Sequence, residues 1–233
     1  VGGSKWSSPG TDANHGDLDN ALTYSYWDGT SPYNYTEGTR TTVESHGSGN
    51  QVAHDTVFSL WDAVSSFSID KVTEDGDGTP VGDLRVAFTD GVPSGSAAFA
   101  YYPSSTAAGG DIYYSTTIDT NGNSVDFVDG EYNWVTALHE VGHALGLSHP
   151  FDGGSKDKST MNLNLDFQRN TVMTYVQRDR NYTLSYNNNT GAASIGTTHT
   201  STPGLLDVEA IEAIYGSGGW NYNNGNDNVY GGG

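Results

Sequence analysis

His139-Glu140-Val141-Gly142-His143-Ala144-Leu145-Gly146-Leu147-Ser148-His149 is the stretch from which the rest of this chain can be read. Residues four apart share one face of a helix, so His139 and His143 can aim two imidazoles at one point. Glu140 sits about 100° further round, close to anything the pair holds without having to ligate it. Gly146 tolerates a left-handed conformation, so the chain can leave the helix sharply and swing His149 back as a third nitrogen donor. Three protein ligands with an open fourth position is the arrangement of a catalytic zinc; structural zinc sites are closed by four ligands. Two alternatives stay open at this point. The short His-Glu-x-x-His part could take its third ligand from a distant glutamate, Glu209 or Glu212. The histidines could also belong to a catalytically inactive zinc-containing binding or surface-layer module.

Working outward, the motif lies on a helix expected from about Glu131 to Leu145. Trp134, Leu138, Val141 and Leu145 form its apolar stripe and Gly146 its stop. Upstream, Ala53, Val57, Leu60, Val64 and Phe67 recur at intervals of four, three, four and three residues, which predicts a second amphipathic helix. Tyr24 to Trp27, Ala98 to Tyr102 and Asp111 to Tyr114 read as short strands, and Leu84 to Phe88 as a half-buried one. Asp70 to Asp83 reads as a Gly/Asp-rich loop. Downstream, residues 151–203 are polar and are expected to form a functional rim or little regular structure. A last helix, Leu205 to Tyr215, is expected to turn Leu206, Ala210, Ala213 and Ile214 inward and to end at Gly216. This order predicts an α+β domain over residues 1–216, with a twisted mixed sheet, an active-site helix and a largely irregular C-terminal part. From Ser217 the composition shifts to Gly and Asn.

Composition narrows the class further. The 233 residues carry Lys+Arg 9 against Asp+Glu 28, a formal charge of −19. Nothing in that balance could neutralise a phosphate backbone, so a nucleic-acid partner is not expected. No stretch approaches the ~20 apolar residues of a membrane helix, so a soluble protein with no membrane partner is expected. Val1-Gly2-Gly3-Ser4-Lys5-Trp6 lacks a basic-then-apolar signal pattern; a targeting segment has been removed or the export address lies elsewhere. With Cys 0, rigidity must come from a core or from bound metal. Asp119-Thr120-Asn121-Gly122-Asn123 fails as an EF-hand, having Ser124 at the turn-glycine position and Gly130 at the bidentate-glutamate position. His15, His46, His54 and His199 have no ligand spacing and read as surface or hydrogen-bonding residues.

The eleven-residue motif closing with His149-Pro150 resembles the zinc signature of the metzincin metallopeptidases. Thr171-Val172-Met173-Thr174-Tyr175 is similar to their Met-turn, a hydrophobic floor beneath the metal. A Tyr two residues after the Met resembles the astacin-like and serralysin-like members, and the absence of Cys turns the likeness toward serralysins. Gly225-Asn226-Asp227-Asn228-Val229 is similar to half of their calcium-binding nonapeptide. The resemblance implies a metzincin-type fold and a secreted zinc endopeptidase, expected as a monomer acting on protein and peptide substrates through a zinc-activated water. It implies His139, His143, His149 and Tyr175 as zinc ligands, Glu140 and Tyr175 as catalytic residues, and Asp111 to Ser115 as the edge on which substrate pairs. It also implies residues 217–233 as the start of a truncated β-roll that needs Ca2+, in a chain cut from a longer protein.

Overall fold

The computed structural model describes residues 4–6, 21–27, 43–44, 47–74, 81–116, 127–152, 161–162, 164–177 and 182–216. The expected β-roll start at 217–233, the Asp119 loop, His15 and His46 lie outside these residues.

A mixed sheet is built from β1 (Ala21–Tyr26), β2 (Val43–Glu44), β3 (Ser68–Lys71), β4 (Leu84–Thr89), β5 (Ala98–Ala100) and β6 (Ile112–Ser115). Its strand order is β3-β1-β4-β6-β5, and β2 pairs with β4. The first four strands of that order run parallel, while β5 pairs antiparallel with β6 and β2 antiparallel with β4. Helices α1 (Ser48–Asp62) and α2 (Tyr132–Ala144) cover the sheet, and α3 (Leu205–Tyr215) is the last described element. The α+β expectation therefore matches the elements present.

Centrality decides the burial of β4. Every residue of Leu84–Thr89 is buried, whereas its alternation predicts a half-buried strand. Parallel strands are covered on both faces, and here one cover is polar. The Arg85 guanidinium forks onto Glu74, Nε to Oε1 at 2.7 Å and Nη2 to Oε2 at 2.6 Å, while Ser25 Oγ donates to Glu74 Oε1 at 2.8 Å.

The apolar face of α1 is rotated from the predicted stripe. Its buried residues are His54, Val57, Phe58 and Trp61, with Ala53 and Leu60 only partly covered. Trp61 fixes this rotation by donating its indole N–H to Leu138 O on α2 at 3.2 Å. Val64 and Phe67 are buried beyond the end of the helix, where Asp62 accepts the Ile69 N–H at 2.7 Å. In α3, Val208, Ile211 and Asp207 face inward; Ala213, predicted inward, is exposed.

The polar stretch contains a hairpin that the sequence pattern does not predict, β7 (Tyr182–Asn187) and β8 (Ala192–Thr197), exposed along its whole length. Among the described residues, no helix is long and apolar enough to cross a membrane.

Candidate active site

The site begins with two glycines. A Cβ at Gly142 would stand 2.5 Å from Met173 Sδ and 3.3 Å from the Trp61 ring, so the missing side chain lets the thioether lie flat against α2. Gly146 adopts φ 98°, and a Cβ there would meet Ser4 O at 2.5 Å. The left-handed turn expected at this position is present. It reverses the chain so that His149 returns toward the helix.

His139, His143 and His149 thereby come together. The Nε2 atoms of His139 and His143 each lie 3.1 Å from Nε2 of His149. Their opposite nitrogens reveal the tautomers. His139 Nδ1 faces Val172 O at 2.8 Å, His143 Nδ1 faces Leu147 O at 2.7 Å, and His149 Nδ1 faces Asp152 Oδ2 at 2.9 Å. Carbonyls and carboxylates only accept, so each Nδ1 carries the proton and donates it. Three bare Nε2 lone pairs are then aimed at one another. That arrangement is repulsive unless a cation sits among them, and neutral imidazoles with their far N–H engaged are good transition-metal ligands. The donor set fits zinc. Burial, reinforced for His139 by the neighbouring imidazoles, pushes His139 down to about 3 and His143 down to about 4, keeping both neutral near pH 7.

Glu140 lines the adjoining cleft and is 6% exposed. Its Oε2 is buried and has no hydrogen-bond partner among the described residues. Desolvation pushes the carboxyl up to about 8, and a cation held by the imidazoles would draw it back down. The Tyr175 hydroxyl lies 2.8 Å from His149 Nε2, and its ring is 66% exposed, tethered at the rim with room to swing. Met173, 2% exposed, packs its thioether against α2 at Gly142, next to His143. The cleft measures about 300 Å³; Tyr132, Val135, Thr136, Gln168, Val172 and Thr174 form one wall and Gly95 to Ala98 another.

That second wall leads into β5 and corrects the expected edge. Asp111 to Ser115 contributes β6, an inner strand flanked by β4 and β5. The strand at the rim is β5, because the chain doubles back between Tyr101 N–H to Asp111 O at 2.9 Å and Ser115 N–H to Ala97 O at 2.8 Å. Glu209 and Glu212 lie on α3, outside the histidine cluster. His54 is fully buried, donating or accepting at Tyr114 Oη over 2.8 Å, and His199 bonds Gln168 and Gln177.

The sequence of this chain is similar to those of several known proteins. It is 36% identical over 152 residues to "Serralysin" of Photorhabdus laumondii, and 34% identical over 127 residues to "Serralysin C" of Dickeya chrysanthemi. The chain is serralysin-like. A third relative, "Metalloprotease AprA" of Pseudomonas entomophila, is 33% identical over 147 residues. These matches cover 64%, 53% and 59% of the serralysin-like chain but 30%, 24% and 28% of the relatives, so it spans under a third of their length. No protein-family model matches it.

Three groups around the histidines escape a reading of the sequence. Asp152 was detectable as a carboxylate three residues after His149. The carbonyls of Val172 and Leu147 leave no trace in side-chain identity. Asp207, which holds the Met173 turn, is one of three acidic residues on a distant helix, with nothing local to single it out.

Proposed function

We propose that this chain is the catalytic part of a secreted, zinc-dependent endopeptidase that hydrolyses peptide bonds of proteins. The observation carrying this reading is the pairing of three converging Nε2 lone pairs with an orphaned, buried carboxylate oxygen on Glu140. His139, His143 and His149 would hold the metal. Zinc bound there supplies a Lewis acid that polarises a carbonyl and makes a nearby water acidic near neutral pH.

The chain's own groups do the rest. Glu140 accepts the proton of the attacking water on its free oxygen and returns it to the departing amine. Its burial keeps competing donors away, so the proton has one place to go. The Tyr175 phenol, released from His149, donates a hydrogen bond to the oxygen on which negative charge develops. The outer edge of β5 offers backbone groups on which an extended substrate adds as a strand, and the cleft beside it takes one side chain. Asp152, Leu147 O and Val172 O hold the three imidazoles in register.

The test is a Glu140→Gln variant assayed on casein beside the unaltered chain, with zinc measured in both. The amide is nearly isosteric but cannot accept the proton, so turnover should fall by ~10²–10⁴-fold while zinc content holds. Near-native turnover would overturn the role of Glu140. Bound zinc without any hydrolysis by the unaltered chain would favour a binding module.

A further inference from the structure

We propose that Asp207 is a positioning residue for the metal centre, acting through the backbone of Val172 to set the orientation and tautomer of His139. The proposal rests on the reading of the three imidazoles as metal ligands.

Asp207 lies in the first turn of α3 and is 1% exposed. A buried carboxylate is expensive unless its oxygens are occupied, and here both are. Oδ2 accepts the Val172 N–H at 2.8 Å and the Gly204 N–H at 2.7 Å, while Oδ1 accepts the Thr171 hydroxyl at 2.5 Å. Thr171 Oγ1 in turn accepts the Met173 N–H at 3.1 Å. The bond to Gly204 lies within α3's own first turn, where a carboxylate at the third position reaches back to the N-cap N–H. The other contacts leave the helix and grip the Met173 turn.

Val172 is the link. Its N–H is held by Asp207 and its carbonyl accepts from His139 Nδ1 at 2.8 Å. The Val172 carbonyl shares its peptide plane with the Met173 N–H, which Thr171 Oγ1 holds. With the Val172 N–H held as well, the peptide groups on both sides of Val172 are fixed, and the carbonyl dictates which imidazole nitrogen keeps the proton. With Nδ1 protonated, Nε2 is left bare and aimed at His143 and His149. Groups that orient a ligand in this way typically contribute 10–100-fold in metal affinity. A residue serving only the core would have no reason to address this turn by two separate contacts, one to each carboxylate oxygen.

Two readouts test this. Long-range proton–nitrogen NMR on the metal-free protein reports the His139 tautomer, and competition with a chromophoric chelator reports zinc affinity. The unaltered chain should show His139 protonated on Nδ1. Asp207→Ala should give a mixed tautomer and bind zinc about 10–100-fold more weakly. Asp207→Asn, which keeps a carbonyl oxygen for the two backbone N–H groups, should restore affinity to within a few-fold of the original. Ile69→Ala, in β3, should lower the melting temperature and leave both readouts unchanged. If Asp207→Ala does not fold, Thr171→Val removes the Oδ1 contact alone and should move both readouts the same way, less far. Unchanged tautomer and affinity in Asp207→Ala, or in Thr171→Val where that variant stands in for it, would overturn the proposal. An unaltered chain that takes up no zinc would overturn the metal reading itself, and this proposal with it.

Discussion

Gly142 and Tyr175 flank the same histidines and should fail in opposite ways when altered. Gly142→Ala places a methyl against the Met173 thioether and the Trp61 ring, both packed in the core. Overpacking of this kind costs about 1–3 kcal/mol; the melting temperature should drop and zinc should bind more weakly because Met173 is displaced. Tyr175→Phe removes only a hydroxyl at an exposed ring. Zinc content should hold while kcat falls ~10²–10³-fold, the loss typical of one oxyanion donor. Parallel measurement of kcat, KM and bound zinc separates the two, and zinc loss that accounts for all lost activity would make Tyr175 a ligand alone. His54 should act on stability through pH. Burial pushes it from its ordinary 6.5 down to about 3, so the unfolded chain takes up a proton that the fold refuses. Stability is then fully present above pH 6.5 and lost as pH falls toward 3, by about 1.4 kcal/mol for each pH step of one. Urea titrations at pH 7 and pH 4.5 should show a steeper acid loss for the original chain than for His54→Gln; equal slopes would contradict it.

At the scale of elements, what the sequence disclosed depended on whether burial imposed a period. Helix α2 was legible to within a residue or so at each end because its stripe, its paired histidines and its glycine stop all agree. The α1 face departs from its apolar stripe, since its rotation is set by a hydrogen bond from Trp61 to another helix, which no local pattern encodes. The hairpin β7–β8 alternates Tyr182, Leu184 and Tyr186 with polar residues, yet its Asn, Ser, Thr and Gly content reads equally well as loop. The three histidines were readable because helix and turn geometry alone relate them. The edge strand was not, because strand order is a long-range property. The Arg85–Glu74 fork belongs to this scale too. Glu74→Gln or Arg85→Met leaves an uncompensated partner in the middle of the sheet and should cost about 3–5 kcal/mol. Urea denaturation checks it, and a loss below ~1 kcal/mol would show the pair to be solvated.

For the whole molecule, zinc should act as a fold-stabilising ligand. At a hundredfold excess over its dissociation constant, a ligand bound to the folded state adds about 2.7 kcal/mol, worth roughly 5–10 °C in a chain of this size. Calorimetry with and without a chelator should recover that shift in His199→Ala and lose most of it in His149→Ala. Equal shifts in the two variants would sink the three-histidine assignment. The two ends of the described chain also meet at one place. Trp6 Nε1 donates to Ala144 O at 2.9 Å, and the Tyr215 hydroxyl accepts the Trp6 N–H at 3.2 Å and donates to Leu145 O at 2.8 Å. These bonds link residues as far as 209 positions apart, just where the helix ends and turns toward His149. Closing such long loops is slow, because their entropy must be lost before any contact compensates it. A ribosome releases α3 after every other described element, so a half-made chain lacks the Tyr215 strut beneath the turn that brings His149 back. On this account the turn toward His149 gains its last support only once α3 has been made.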